Sequence, residues 1–152
     1  MAKKKTEMNS KKTQTRPDSQ ITGMAGEFLV AGKLFKRKLL VSITMGNAKA
    51  IDLFVHNPKT DKTFAVQVKT LRGKNCFPIR KEKVKSNYIY VFVILNRDEQ
   101  EEEYFIIPGI IIYDNINRFF GTSYIKEKPS TFPAINYGPL KPFRNNWSLF
   151  EK

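Results

Sequence analysis

Apolar positions recur along this chain with two distinct periods. From Ile21 to about Arg37, the residues Met24, Phe28, Ala31 and Phe35 are spaced by four and three, the period of an amphipathic helix. At ~100° per residue, Glu27 falls inside the apolar arc, between Ala31 and Leu34. A carboxylate placed there is costly unless a cation meets it, so Glu27 reads either as a metal or substrate ligand or as the partner of a lysine. Three short runs rich in Val, Ile, Phe and Thr follow, Leu39 to Thr44, Ile51 to His56 and Thr63 to Thr70, and these read as strands. Tyr88 to Leu95 is continuously apolar, as in a central strand buried on both faces. The charged stretch Arg97 to Glu103 reads as a solvated loop, and Tyr104 to Ile107 as a last strand stopped by Pro108-Gly109. Ile110 to Phe120 reads as helix. Beyond Gly121, Pro129, Pro133, Pro139 and Pro142 suit an extended tail, with Trp147, Leu149 and Phe150 anchoring its end in the core.

The second and third strands carry a geometric prediction. The residues Asn57-Pro58-Lys59-Thr60-Asp61-Lys62 have turn chemistry and make the two strands an antiparallel hairpin. Closed symmetrically, it sets Asp52 opposite Gln67, with Lys69 two residues on along the same face. Ile51, Leu53, Val55, Phe64, Val66 and Val68 then form a wholly apolar opposite face that must pack on the core. Ala65 leaves room beside the polar trio. Taken alone, the arrangement also fits a half-exposed hairpin in which Asp52 and Lys69 form a surface ion pair.

Composition narrows the chemistry. A chain of 152 residues is the size of one domain, with 41% hydrophobic and 27% charged residues as in ordinary globular proteins. Lys and Arg number 27 against 14 Asp and Glu, a formal charge of +13 that favours polyanionic partners. Nucleic acid is the first candidate, although an anionic membrane surface or ribosomal RNA would attract the same charge. A single cysteine, Cys76, and a single histidine, His56, exclude a structural zinc site and an intramolecular disulfide, and argue against a histidine general base unless His56 serves alone. Residues 1–20 hold Lys3, Lys4, Lys5, Lys11, Lys12 and Arg16 against Glu7 and Asp18, and read as a flexible basic arm ahead of one domain over residues 21–152. Neither a secretory signal nor a run of ~18 apolar residues is present, so the cytoplasm is the expected location and no membrane partner is expected.

A helix carrying Gly26-Glu27, Ile51-Asp52 on one strand and Gln67-Val68-Lys69 on the next resembles the PD-(D/E)XK nuclease superfamily. Within it, the order is similar to archaeal Holliday-junction resolvases and to the small homing endonucleases of group I introns. The resemblance implies an α/β restriction-endonuclease-like fold, an αβββαβ core with a mixed central sheet flanked by helices. It implies a divalent-metal-dependent endonuclease acting on duplex or branched DNA, with Mg²⁺ as cofactor and Mn²⁺ as substitute. Asp52 would be the principal metal ligand, Gln67 and Glu27 further ligands, and Lys69 the cation that positions the attacking water. Gln67 departs from the acidic residue of the motif: its amide oxygen can meet a hard cation but brings no charge, so Glu27 would have to restore it. Ile51 stands where the motif has proline. A nuclease-fold protein that binds nucleic acid without turnover is the alternative, and a homo-oligomer is compatible with either.

Cations crowd the segment after the motif. Arg72, Lys74, Arg80, Lys81, Lys83 and Lys85 stand against Glu82 alone, a composition suited to phosphate contacts that position a substrate without reading its sequence. Phe77 within this segment reads as a core residue.

Overall fold

The computed structural model describes residues 16–45, 50–121 and 133–152. Helix α1 (Arg16–Lys36) leads into strands β1 (Leu40–Ile43), β2 (Leu53–Asn57) and β3 (Lys62–Leu71). A crossover holding the two-residue strand β4 (Phe77–Pro78) and one 3₁₀ turn (Lys81–Lys83) connects to β5 (Ile89–Ile94). Next come β6 (Glu103–Pro108), the short helices α2 (Gly109–Asp114) and α3 (Ile116–Phe120), β7 (Ala134–Ile135), and the 3₁₀ segments Gly138–Phe143 and Trp147–Glu151.

The central sheet has five strands in the order β1-β2-β3-β5-β6. The β3–β5 pair is parallel and the others antiparallel, so this is the mixed sheet with flanking helices that the sequence leads one to expect. A parallel pair needs a crossover that returns the chain along the sheet, and residues 72–88 supply it. The helical element expected there is the single turn Lys81–Lys83.

Two apolar layers hold the sheet. On one face, Val30 and Leu34 of α1 pack on Leu53, Val55, Val66, Val68, Val91 and Val93, and Trp147 and Phe150 from the last 3₁₀ segment join them. On the other, Tyr90, Phe92, Ile94, Phe105 and Ile107 are covered by Phe77, Ile112, Phe119, Ile135 and Leu140. Each such side chain contributes roughly 1.5–3 kcal/mol when fully withdrawn from water. Asn57, buried at the hairpin, donates to the Phe150 carbonyl at 2.9 Å and fastens the C-terminal segment to β2.

Several expectations are corrected. Helix α1 begins at Arg16, so residues 16–20 are helical, while the remainder of the basic arm and Pro129 lie outside the described residues. Its buried row is Thr22, Gly26, Val30 and Leu34, with Ala31 beside it. Met24, Phe28 and Phe35, expected in the core, are 40%, 52% and 52% exposed, and with Ile21 form an outward apolar stripe. Gly26 explains the choice. A Cβ built there would run into the Thr70 side chain, so α1 lies close against β3 and admits small side chains where they touch. Glu103, expected in a solvated loop, opens β6 and is buried; its carboxylate accepts from Tyr137 Oη at 3.2 Å, Arg144 Nη1 at 3.3 Å and Asn96 Nδ2 at 3.3 Å. No helix among the described residues is long and apolar enough to cross a membrane.

Candidate active site

The hairpin register is the predicted one: Leu53 pairs with Val66, Phe54 with Ala65, and so on to Asn57 with Lys62. Leu53, Val55, Val66 and Val68 are buried beneath α1, which leaves Phe54, His56, Gln67 and Lys69 to the opposite face by strand alternation. Val68 and Thr70 meet the helix side, where Thr70 faces Gly26.

Asp52 interrupts this regular pattern. Its N–H donates to the Val66 carbonyl at 2.9 Å, one residue off the pairing of the ladder, and its carbonyl accepts from Thr44 N at 2.9 Å. Its carboxylate Oδ2 then accepts the Val68 N–H at 2.7 Å. The side chain stands in for the carbonyl that a continuing strand would have offered, and Asp52 brackets Gln67 between the two bonds. Because a backbone N–H of β3 points within the sheet toward its neighbour, the carboxylate lies near the sheet plane.

That position reconciles two groups coming from opposite sides. Glu27, half-buried on α1, has its carboxyl pushed above the ordinary range, first by burial and then by the negative charge of Asp52. The Asp52 carboxyl is also raised by burial, against the lowering effects of the Val68 hydrogen bond and of the Lys69 ammonium. Glu27, Asp52 and Lys69 thus share one electrostatic neighbourhood. Glu27 arrives from the α1 side, opposite the face that carries Gln67 and Lys69. It has no lysine within ion-pair distance among the described residues, and neither does Asp52, so both simple ion-pair explanations are set aside.

A divalent cation suits this donor set in part. Two half-buried carboxylates that repel each other are hard oxygen donors of the kind Mg²⁺ accepts, and Mg²⁺ commonly takes only one or two carboxylates and keeps several waters. Among the described residues no group of three or more His, Cys, Asp or Glu is gathered. The fit therefore rests on Glu27 and Asp52, with Gln67 on the face of β3 turned away from α1.

Arg72, Lys74, Arg80, Lys81, Lys83 and Lys85 are all exposed along the crossover, which Phe77, Ile79 and Val84 pin to the second core. Lys74 is drawn aside, 4.0 Å from Glu103 and over the Tyr137 ring. His56 is spent at the hairpin end, 2.9 Å from Thr63 Oγ1 and 3.6 Å from Asp61. Cys76 is a free thiol in the crossover.

The fold resembles that of a bacterial homing endonuclease. The solved structure of I-Ssp6803I superposes over 87% of this chain and 93% of its own, with a TM-score of 0.52 and 16% sequence identity. At that identity the likeness is one of fold. No protein-family model and no curated protein matches the sequence.

Proposed function

We propose that the chain is a divalent-metal-dependent endonuclease hydrolysing DNA phosphodiester bonds, a PD-(D/E)XK-type site with glutamine at the second acidic position. The observation that carries this reading is the Asp52 carboxylate, lodged on the Val68 N–H where β2 leaves β3, with its charge felt by Glu27 on the α1 side and the Lys69 ammonium acting on it. The fold shared with I-Ssp6803I favours it, as does the charge of +13.

Asp52, Glu27 and Gln67 would hold Mg²⁺, or Mn²⁺ in its place, which when bound would lower the pKa of a water and neutralise charge on the phosphoryl oxygens. One Asp52 carboxylate oxygen is held by the Val68 N–H, so the other would be the one to meet the ion. Glu27 supplies the second negative charge that Gln67 lacks. Lys69, on the open face, would hold a water or a phosphate oxygen by its ammonium. The exposed cations of the crossover would bear on the phosphate backbone and position the substrate without selecting its sequence.

Cleavage of supercoiled plasmid and of a four-way junction, with Mg²⁺ or Mn²⁺, tests the reading. Asp52→Ala and Lys69→Ala are each expected to lower the rate by at least about 10²-fold, the loss common for a group that stabilises transition-state charge. Equal activity in all three proteins would end the proposal. The small number of acidic donors favours one second reading, a protein of this fold that binds DNA without turnover. Salt-sensitive binding by a wild-type protein that cleaves neither substrate would establish it.

A further inference from the structure

A second concentration of cations lies away from this site, where the end of α1 meets the C-terminal segment. Lys33, Lys36 and Arg37 line a cleft of about 560 Å³ with Asn145 and Trp147. Arg37 also lines an adjoining cleft of about 320 Å³, with Lys38 and Lys59. Lys33 lies about 120° round the helix from Glu27 and about 9 Å along its axis, so the cleft opens on a different flank from Asp52.

Aromatic rings hold two of these cations, Lys33 and Arg37, in place. The Lys33 ammonium sits 5.4 Å from the centre of the Tyr104 ring, and the Arg37 guanidinium 5.0 Å from that of Trp147. Arg37 Nη1 donates to the Lys33 carbonyl at 3.1 Å. Among the described residues none of Lys33, Lys36 and Arg37 has a carboxylate within 4.0 Å, and Glu151 is the sole acid lining either cleft. Cations in a last helical turn complement the helix dipole. That role requires neither the two rings nor the convergence on Asn145 and Trp147.

We infer that this cleft is a second phosphate-binding site, which grips the sugar-phosphate backbone of a nucleic acid outside the proposed cleavage site. The rings are buried, Tyr104 at 3% and Trp147 at 5% exposure, so they cannot stack on bases, and what the cleft offers is N–H donors on positive charge. Phosphate oxygens match that offer and no sequence is read. An acidic protein is the weaker fit, because a protein interface needs an apolar anchor at its centre and Arg37 covers the indole. The inference shares a nucleic-acid partner with the proposed function but needs no hydrolysis.

Binding of the full chain to a short mixed-sequence DNA duplex, measured by anisotropy over a range of salt with a chelator present, separates the two. Every phosphate that the protein ceases to neutralise reduces the slope of log K against log salt by about 0.9. Lys33→Ala/Lys36→Ala is expected to reduce it by about 2 and to weaken binding roughly 10-fold at moderate salt. Arg97→Ala/Arg118→Ala, which removes the same charge elsewhere, is expected to change the slope by less than about 0.5. Equal slopes in wild type and the Lys33/Lys36 variant would overturn the inference, as would equal reductions in both variants. Competition by polyglutamate as effective as that by unlabelled duplex, abolished in the same variant, would also overturn it in favour of an acidic protein. Should the double variant fold poorly, the exposed Lys36→Ala alone carries the test, with a slope change of about 1.

Discussion

The two halves of the sheet differ in how they are covered. Strands β5 and β6 have an apolar layer on each face, and Tyr90, Phe92, Ile94, Phe105 and Ile107 are at most 1% exposed on the side away from α1. The corresponding side of β1, β2 and the start of β3 carries Leu40 at 57% and Phe54 at 41% exposure, with Gln67 and Lys69 nearby half-buried. One half is built for cohesion and the other leaves side chains available. The candidate chemistry stands at the seam, on the strand that belongs to both.

Substituting Phe92 probes this contrast with the largest expected effect. Phe92→Ala empties the centre of the doubly covered half and should lower unfolding free energy by about 3–5 kcal/mol, read by chemical denaturation. Any nuclease activity per folded molecule should stay near the wild-type value in the cold. A specific loss of turnover with little change in stability would break the division between the halves.

The open half should show the opposite trade. Glu27 and Asp52 both have folded pKa values above their ordinary 4.5 and 3.8, so the unfolded chain gives up these protons first as pH rises. Their effect is to lower stability from that ordinary range upward, the full loss being present above the raised folded values. Glu27→Gln and Asp52→Asn should therefore raise the melting midpoint at pH 7, by a few degrees at most, while the gain shrinks toward pH 4. A midpoint that falls at pH 7 in both variants would mean that the carboxylates have partners that stabilise them. Added Mg²⁺ should raise the wild-type midpoint and leave that of Asp52→Asn nearly unchanged, if the pair holds the ion.

Tyr104 offers the smallest and most local comparison. Its hydroxyl is buried with no hydrogen-bond partner among the described residues, and burial, then Glu102, pushes its pKa up to about 12. Tyr104→Phe should leave stability unchanged or raise it by up to about 1 kcal/mol. A loss of similar size would reveal a partner for that oxygen.

The hairpin is legible in the sequence because its apolar alternation admits only one register that buries Leu53, Val55, Val66 and Val68 together. The bend at Asp52 is not, since it depends on a side chain replacing a main-chain acceptor. On α1, the bulk of Met24, Phe28 and Phe35 conceals the helix face that packs. Gly26, Val30 and Leu34, each four residues from the next, are the available signal, and close packing against Thr70 decides for the smaller row. The cations at Lys33, Lys36 and Arg37 are inconspicuous along the chain because their convergence requires Trp147, more than a hundred residues away in sequence. Glu103 looks like one more acid in a charged run, and only the fold brings Tyr137 and Arg144 to it.

The bond from the Val68 amide has a consequence for how such a residue can drift. The main chain at this bend demands an acceptor from position 52, and asparagine could provide one without bringing a negative charge close to Glu27. Architecture alone therefore accounts for an oxygen there, whereas the ionised group is a surplus that makes the native state harder to hold. A chain that kept this fold without the proposed hydrolysis would be free to drop that surplus and keep its shape, with asparagine in place of Asp52.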